Sequence, residues 1–251
     1  MARRTAARDD CVAVVLCGGL GSRLGELTTE IPKPLLRVGD DSIVGHALNL
    51  LSRHGFTKVV VNLHHHGEQV REALGSGADR GVAIEYLEEI ELSGTAGPLI
   101  KLRERLASVR DVLVVYGDLV LDEDLSSMLD FHRSSAADAT LLIHQRARSN
   151  SVLVLDDQRR IVRFVERPSA AERATLTSEW VNSGVQLLTE AALAALPDRL
   201  PCDLPRDLYA PQAHELRLMG YPLSGFRVAV DSPERLDLAR RTWPTRKTSE
   251  G

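Results

Sequence analysis

Cysteine, lysine and long apolar runs are all scarce in this chain of 251 residues. The three cysteines (Cys11, Cys17 and Cys202) are odd in number and lack the spacing of a zinc or redox motif, so we expect reduced thiols in a cytoplasmic protein. No apolar run approaches the roughly 18 residues of a membrane span, and the start, MARRTAARDD, lacks the apolar core of a secretory signal. A net charge of −4 with interspersed signs argues against nucleic-acid binding.

The order of the apolar segments predicts an α/β fold. In the first half, short apolar runs alternate with helical patterns, which is typical of a parallel sheet with helices on both faces. The strands are predicted at residues 11–16, 58–62, 82–87 and 111–116, and the helices at 42–53, 67–74 and 95–107.

The second half contains strand candidates that lie close together. They are predicted at residues 140–144, 151–155, 161–165, 181–188, 216–221 and 226–230, with helices at 189–195, 203–208 and 233–241. Asp156 and Asp157 are a turn signal that predicts a hairpin. Because no linker or repeat is visible, we expect one domain over residues 1–251, with flexible tails at 1–10 and 244–251.

A glycine-rich loop follows the first predicted strand and suits an anion. It contains Gly18, Gly19 and Gly21, which allow backbone N–H groups to approach a phosphate closely. Leu24 stands where a dinucleotide fingerprint needs its third glycine, and the Gly-Lys-Ser/Thr of a Walker A loop is absent. Arg23 and Lys33 supply cations, and two prolines fix the backbone around Lys33. From the glycines alone, a tight turn with two solvated cations remains an alternative.

The string GGLGSRLGELTTEIPKPL, residues 18–35, resembles the signature of the sugar-1-phosphate nucleotidyltransferases, G-G-x-G-[ST]-R-L-x-x-L-T-x-x-x-P-K-P. The resemblance implies a single Rossmann-like domain with a mixed, mostly parallel central sheet flanked by helices and a smaller antiparallel sugar-binding subregion. It implies catalytic, phosphate-gripping roles for Arg23 and Lys33. The nucleotide-binding residues that it implies here are Leu16, Gly18, Gly19, Gly21 and Ser22.

Other segments extend the resemblance along nearly the whole chain. The segment from Ser93 to Gly97 resembles the family's L-G-T-A-G loop, which implies that Gly94 and Thr95 meet the nucleobase. The dipeptide at 166–167 resembles part of the E-K-P motif. The substrate-binding residues implied by these and neighbouring motifs are Gly117, Glu166, Arg167, Asn182 and Gly184. A bulge is the alternative explanation of Gly184.

Two aspartates at predicted strand ends match the metal ligands of the family. Asp118 follows a buried strand, and Asp231 precedes Ser-Pro-Glu at a helix start. The resemblance implies that both hold Mg²⁺, an ion that prefers carboxylate oxygens, and that Asp118 is catalytic. Turn formation by Asp118 and helix capping by Asp231 are the structural alternatives.

The chain departs from the family at two places that bear on the acceptor. Arg167 replaces a lysine, and Asn150-Ser151-Val152 replaces Tyr-Gly-Val, which indicates an unusual acceptor. The segments around the glycine loop and VNSGVQLL look closest to the heptose-1-phosphate guanylyltransferase branch. We therefore expect transfer of a nucleoside monophosphate, from GTP, to a sugar 1-phosphate or a heptose or cyclitol phosphate.

Several alternatives stay open at this point. They are a UTP- or dTTP-dependent transferase for hexose or aminosugar 1-phosphates, a non-catalytic nucleotide-sensing paralogue, and an unrelated dinucleotide-binding oxidoreductase. The resemblance also allows a homodimer.

Three adjacent histidines at 64–66 predict a solvated loop rather than a metal site, and Cys17 is not expected to be a nucleophile.

Overall fold

The computed structural model describes residues 5–147 and 149–247 of the chain. Strands and helices alternate over most of this length. The strands are β1 (Cys11–Leu16), β2 (Arg37–Val38), β3 (Asp41–Ser42), β4 (Lys58–Leu63), β5 (Ala83–Glu88), β6 (Asp111–Tyr116), β7 (Leu119–Asp122), β8 (Ala139–Gln145), β9 (Ser151–Leu155), β10 (Ile161–Glu166), β11 (Trp180–Thr189), β12 (Leu218–Pro222) and β13 (Phe226–Ala229). The α-helices are α1 (Ile43–Arg53), α2 (Gly67–Leu74), α3 (Gly97–Lys101), α4 (Arg103–Leu106), α5 (Leu125–Ser134), α6 (Ala170–Thr175), α7 (Glu190–Ala194), α8 (Ala210–Gln212) and α9 (Pro233–Lys247).

Contacts between Cα atoms divide the chain into two compact units. Unit 1 comprises Met1–Leu92, Val115–Glu123 and Gly225–Gly251, and unit 2 comprises Ser93–Val114 and Asp124–Ser224. The α/β class with mixed strand directions and flanking helices is confirmed. Organisation as one domain stays a prediction.

Unit 1 is built on parallel strands whose carboxyl ends share one edge. β1 pairs with β4, and β4 pairs with β5, both in parallel. The registers Leu16↔Asn62 and Asn62↔Leu87 align the last residues of the three strands. The loops that leave these strands therefore emerge side by side, where ligands gather in open parallel sheets.

A two-stranded antiparallel ribbon of unit 1 brings the two predicted metal ligands to the same end. β7 pairs with β13, and Leu119 lies opposite Ala229. Asp118 immediately precedes β7 and Asp231 follows shortly after β13, so the pairing aligns both aspartates. The backbone N–H of Val230 donates to the carbonyl oxygen of Asp118 at 2.8 Å, which extends this alignment beyond the strands. The sequence reasoning did not predict β7.

An apolar cluster in unit 1 supports the loops near these aspartates. Its buried members are Leu24, Leu36, Val38, Ile43, Val120, Val228, Val230, Leu236 and Ala239. Leu24 comes from the glycine-rich loop and Leu36 from the turn after Lys33, so burial of these two side chains anchors the backbone that carries Arg23 and Lys33.

Unit 2 has a mixed arrangement of strands. β8 pairs with β11 in antiparallel fashion and with β12 in parallel, and β9 and β10 form an antiparallel hairpin. The predicted turn between them is confirmed, since Asp156 Oδ1 accepts from the N–H groups of Gln158 and Arg160, both at 2.9 Å. The register of β11 shifts between Asn182 and Gln186, so Gly184 lies in a β-bulge.

Several elements differ from the sequence prediction. The helix predicted at 95–107 is two short helices, α3 and α4, and the last helix extends to Lys247. α5 and α6 were not predicted. The predicted tails fall partly on residues 1–4 and 248–251, which lie outside the described residues.

Within residues 5–147 and 149–247, no helix is long and apolar enough to cross a membrane. Cys11, Cys17 and Cys202 are buried free thiols, as expected from their number and spacing.

Candidate functional site

The glycine-rich loop of unit 1 begins directly after β1 and requires glycine at two positions. Gly21 has a φ of 66° and precedes a 3₁₀ turn over Ser22–Thr28. A side chain at Gly18 would place its Cβ 2.8 Å from Asn62 Nδ2. Positive φ and close packing are both reasons for which a chain uses glycine, and a glycine-rich turn of this kind allows an anion to approach the backbone closely.

A polar cavity of about 220 Å³ lies beside this loop in unit 1. It is lined by Gly21, Ser22, Arg23, Leu24, Lys33, Asp118 and Asp231. Four of the predicted catalytic and metal residues, two cations and two carboxylates, therefore line one cavity although they are up to about 200 residues apart in sequence.

Lys33 and Asp118 form the central contact of this cavity. Lys33 Nζ donates to Asp118 Oδ2 at 2.8 Å, with side chains that are 15% and 29% exposed. A lysine ammonium is a compact charge that can exchange a carboxylate partner for a phosphate oxygen. The pair thus keeps a cation at the cavity while leaving both groups accessible.

The donor chemistry of the cavity fits a divalent cation. Asp118 and Asp231 supply hard carboxylate oxygens, and the open side of the cavity leaves room for phosphate and water oxygens, which usually complete the shell of Mg²⁺. Capping or turn formation alone does not explain why both carboxylates line the same cavity as Arg23 and Lys33.

Cys17, in the same loop, has surroundings that disfavour a nucleophilic role. Burial raises the pKa of its thiol to about 12, the charge of Asp118 adds to this rise, and Lys33 opposes it. At neutral pH the group is a protonated thiol, whereas thiol nucleophiles react as thiolates.

Sequence reasoning missed two buried polar residues of unit 1 next to the glycine loop. Asn62 Oδ1 accepts from the N–H of Cys17 at 2.7 Å, and Asn62 Nδ2 donates to Glu89 Oε2 at 2.7 Å. Asn62 is 4% exposed and Glu89 is 6% exposed. A Cβ at Gly18 would lie 3.4 Å from Glu89 Oε2, so this carboxylate lies directly against the loop.

The signal for these two residues was present in the sequence. Asn62 is the penultimate residue of β4, and Glu89 directly follows β5. Polar residues at the carboxyl ends of adjacent parallel strands meet at one edge, which is the same reasoning that predicts Asp118.

In unit 2, the predicted nucleobase loop has a tightly specified backbone. Gly94 has a φ of 81°, and a Cβ there would lie 2.3 Å from the carbonyl oxygen of Cys202. Thr95 donates its backbone N–H to Asp203 Oδ1 at 3.1 Å. Glycine is therefore required at position 94 for both its conformation and its packing.

This requirement gives a stability prediction. We expect Gly94→Ala to lower the free energy of unfolding by about 1–3 kcal/mol, because it combines positive φ with a backbone clash. Gly19→Ala is the control, since none of the described atoms lies within 4 Å of its added Cβ, and we expect a change within about 0.5 kcal/mol. Urea denaturation measures the free energy of unfolding of both variants, and equal losses of stability would contradict the requirement for glycine at position 94.

The predicted substrate-binding residues of unit 2 gather at the ends of β9, β10 and β11. Glu166 ends β10 and pairs with Ser151 of β9. Ser151 Oγ accepts from the N–H of Asn182 at 3.4 Å, and Asn182 Oδ1 accepts from the N–H of Gly184 at 2.9 Å. Ser151, which replaces the family's glycine, thus contacts a predicted substrate-binding residue directly.

Arg167 and Glu166 have unusual environments. Arg167 has a φ of 51°, rare for a residue with a side chain, and its side chain is 82% exposed. Burial raises the pKa of the Glu166 carboxyl; Arg167 opposes this rise, Asp203 adds to it and Arg206 opposes it. Strained backbone and a carboxyl with a shifted pKa often occur together at functional sites.

The predicted site residues therefore fall in both units. Unit 1 holds the cavity residues, with Leu16, Gly18, Gly19 and Gly117 nearby in its loops. Gly117 donates its N–H to the carbonyl oxygen of Leu16 at 2.9 Å, and a Cβ there would lie 2.5 Å from that oxygen. Unit 2 holds Gly94, Thr95, Glu166, Arg167, Asn182 and Gly184. Their individual roles stay predictions.

Comparison with known structures agrees with the fold. A crystal structure from Bacillus anthracis, described as a candidate glucose-1-phosphate thymidylyltransferase in complex with sucrose, superposes with a TM-score of 0.75 at 21% identity. The alignment covers 92% of this chain and 94% of that one. At this identity the likeness establishes an α/β fold of the same type.

Sequence comparison goes further. Residues 12–200 match the profile of the family described as Nucleotidyl transferase. The chain therefore belongs to the nucleotidyl transferase family, whose members generally use a divalent metal ion.

Two curated relatives illustrate the range of activities in the family. A probable mannose-1-phosphate guanylyltransferase 1 of Oryza sativa subsp. japonica is 27% identical over 227 residues, which are 88% of this chain and 61% of the relative. A UTP–glucose-1-phosphate uridylyltransferase of Synechocystis sp. is 30% identical over 211 residues, 78% of this chain and 54% of the relative. The chain thus spans little more than half the length of these relatives.

Proposed function

We propose that the protein transfers a nucleoside monophosphate from a nucleoside triphosphate to a sugar 1-phosphate, giving a nucleoside diphosphate sugar and pyrophosphate. The observation that carries this proposal is the cavity of unit 1 in which Arg23, Lys33, Asp118 and Asp231 converge beside a glycine-rich loop. Membership of the nucleotidyl transferase family and the names of the two relatives support the same reaction.

The reaction needs positioning and charge neutralisation rather than a general base. An oxygen of the sugar phosphate, already an anion, attacks the α-phosphorus, and the bond to the β-phosphate oxygen breaks so that pyrophosphate leaves with the electron pair. Arg23 would stabilise the leaving pyrophosphate and Lys33 would hold the α-phosphate. Arg167 would bind the phosphate of the acceptor, and Glu166 its hydroxyl groups.

Asp118 and Asp231 would hold the metal ion, for which we propose Mg²⁺. When bound, Mg²⁺ supplies positive charge that offsets the negative charge of the phosphates. Asp118 accepts from Lys33 Nζ through Oδ2 at 2.8 Å, and its second oxygen and remaining lone pairs leave it able to bind a cation as well.

GTP is the triphosphate that we propose. Glu89 presents a buried carboxylate against Gly18, and Asn62 fixes its position. Guanine carries two adjacent donors, N1–H and the 2-amino group, which a carboxylate can accept together, whereas uracil and thymine present one donor between two acceptors. A carboxylate offers about four acceptor sites, so it can accept from a base as well as from Asn62.

The acceptor is proposed to be a sugar 1-phosphate of unusual type, such as a heptose or cyclitol phosphate. Ser151 and Arg167 support this narrower choice, since both stand in the acceptor group and differ from the family pattern. The guanylyltransferase relative acts on mannose 1-phosphate according to its name, which makes that compound the first acceptor to assay.

A second candidate is a UTP-dependent transferase, which the name of the Synechocystis relative favours. A non-catalytic nucleotide sensor is disfavoured because Lys33, Asp118 and Asp231 line the cavity together. The substrates named above, a cytoplasmic location and a homodimer are further expectations from the resemblance.

Thermal unfolding with ATP, GTP, CTP, UTP or dTTP, each with and without Mg²⁺, tests the choice of nucleotide. A ligand at about 100 times its dissociation constant adds roughly 2.7 kcal/mol to the stability of the folded state. We expect GTP with Mg²⁺ to raise the midpoint by several degrees and the pyrimidine nucleotides to have little effect. Equal shifts with all five would contradict a base-specific site, and a larger shift with UTP would favour the second candidate.

A further inference from the structure

One segment of unit 2, Cys202–Leu204, is hydrogen-bonded to the predicted nucleobase loop at each of its residues. Cys202 donates its N–H to the carbonyl oxygen of Ser93 at 2.8 Å, and its own carbonyl oxygen accepts from the N–H of Ala96 at 2.9 Å. The missing side chain of Gly94 makes room for that carbonyl. The conformation of the loop therefore depends on a segment about 110 residues away in sequence.

Asp203 provides the side-chain part of this attachment. Its Oδ1 accepts from the backbone N–H of Thr95 at 3.1 Å and from the Thr95 hydroxyl at 3.4 Å. The Thr95 hydroxyl oxygen in turn accepts from the N–H of Leu204 at 2.9 Å. These three contacts fix both the backbone and the side chain of Thr95.

Helix capping does not explain Asp203. It directly precedes the π-helical segment Leu204–Tyr209, where an aspartate usually accepts from the first N–H groups of a helix. Within the described part of the chain, its side chain makes no such capping bond. Its carboxylate binds Thr95 instead, and π-helical turns of this kind are frequent at functional sites.

The segment that follows Asp203 packs against β10, the strand that ends at Glu166, since the ring centroids of Tyr209 and Phe164 lie 5.6 Å apart. Asp203 Oδ2 lies 3.2 Å from the NH2 nitrogen of Arg206. Asp203 and Arg206 are also charged neighbours of Glu166: the negative charge of Asp203 raises the pKa of that carboxyl, and Arg206 opposes the rise. Asp203 thus binds the nucleotide loop through Oδ1 and pairs with Arg206 through Oδ2, on a segment that packs against the strand of the acceptor carboxylate.

We propose that Asp203 is a positioning residue that couples the two substrate subsites, so that acceptor binding beside Glu166 alters nucleotide affinity through Thr95. The inference rests on the proposed function. An acceptor that engages Glu166 and Arg167 changes the charges that face Asp203 and Arg206, and any movement of the Asp203 carboxylate is transmitted to the Thr95 N–H. Such coupling is reciprocal between the two ligands.

Calorimetric titration measures this coupling without requiring turnover. The probes are guanosine 5′-(α,β-methylene)triphosphate, whose α–β carbon bridge prevents transfer, and mannose 1-phosphate. In the parent protein, we expect mannose 1-phosphate to tighten binding of the analogue by about fivefold or more.

Two substitutions at position 203 separate coupling from simple attachment of the loop. Asp203→Asn keeps an oxygen that accepts from Thr95, so we expect the affinity for the analogue alone to stay within about threefold of the parent value. Mannose 1-phosphate should no longer change that affinity. Asp203→Ala removes both functions, and we expect weaker analogue binding by roughly tenfold as well as loss of coupling.

Asp156→Asn is the matched control, because Asp156 also holds two backbone N–H groups in unit 2 but belongs to the turn between β9 and β10. We expect it to keep the parent coupling. Parent-like coupling in Asp203→Asn, or absence of coupling in a parent protein that binds both probes, overturns the proposal for Asp203 alone. A parent protein that binds neither probe overturns the proposed guanylyl transfer and this proposal with it.

Discussion

Asp118→Asn is expected to lower kcat/KM for nucleotidyl transfer by roughly 10²–10³, the cost of removing one preorganised charged contact. The substitution removes the charge that holds Lys33 Nζ at 2.8 Å and one of the two carboxylates proposed to hold the metal. The free energy of unfolding should change by less than about 1 kcal/mol, because the ion pair is partly exposed. Steady-state release of pyrophosphate measures kcat/KM, and urea denaturation measures the free energy of unfolding.

Asp122→Asn is the matched control for this substitution. Asp122 lies at the other end of β7 and is ion-paired with Arg53, but it does not line the cavity. We expect its activity to stay within about twofold of the parent, as is usual for exposed ion pairs. The metal assignment is wrong if Asp118→Asn keeps parent activity, or if Asp122→Asn loses as much.

The second large effect is expected at Glu89. Glu89→Gln should lower kcat/KM for GTP by about 5–150-fold, equivalent to the roughly 1–3 kcal/mol of a good bidentate contact to a base edge. The glutamine keeps the size of the side chain and an oxygen that accepts from Asn62, so the attachment of the glycine loop through Cys17 is retained. A lower kcat/KM in Glu89→Gln therefore reflects weaker recognition of the base and not a displaced glycine loop.

Inosine triphosphate provides a matched substrate, since it lacks only the 2-amino group of GTP. In the parent protein, we expect GTP to be preferred to inosine triphosphate, and in Glu89→Gln this preference should shrink toward unity. A buried group left without its partner is what makes such discrimination large. An unchanged ratio of the two triphosphates in Glu89→Gln would mean that Glu89 only anchors the loop.

Local signals were sufficient for the elements that the sequence predicted well. The apolar run of β1 and the adjacent glycines predict a buried strand and a turn with positive φ because both features depend on residues close in sequence. Asp118 and Asp231 were found from their motifs, and the antiparallel pairing of β7 with β13 explains why they reach the same cavity.

The remaining features depend on contacts that a single sequence does not display. The role proposed for Glu89 depends on its contacts with Asn62 of β4 and with Gly18 in the loop after β1, which are distant in sequence. Asp203 looks like an ordinary helix cap in the sequence, and only the structure places its carboxylate on Thr95. The helix predicted over 95–107 divides into α3 and α4, since Leu102 adopts a φ of −100° and a ψ of 7° between them.

The most direct test of the proposed activity is to incubate the purified protein with each of the five triphosphates, a panel of sugar and cyclitol phosphates that includes mannose 1-phosphate, and Mg²⁺. Pyrophosphate and nucleoside diphosphate sugar are both measured. We predict that the two products appear in equal amounts, require both substrates and are formed fastest from GTP. Absence of both products with every pair, in a protein whose thermal unfolding is cooperative, would contradict the proposed transferase.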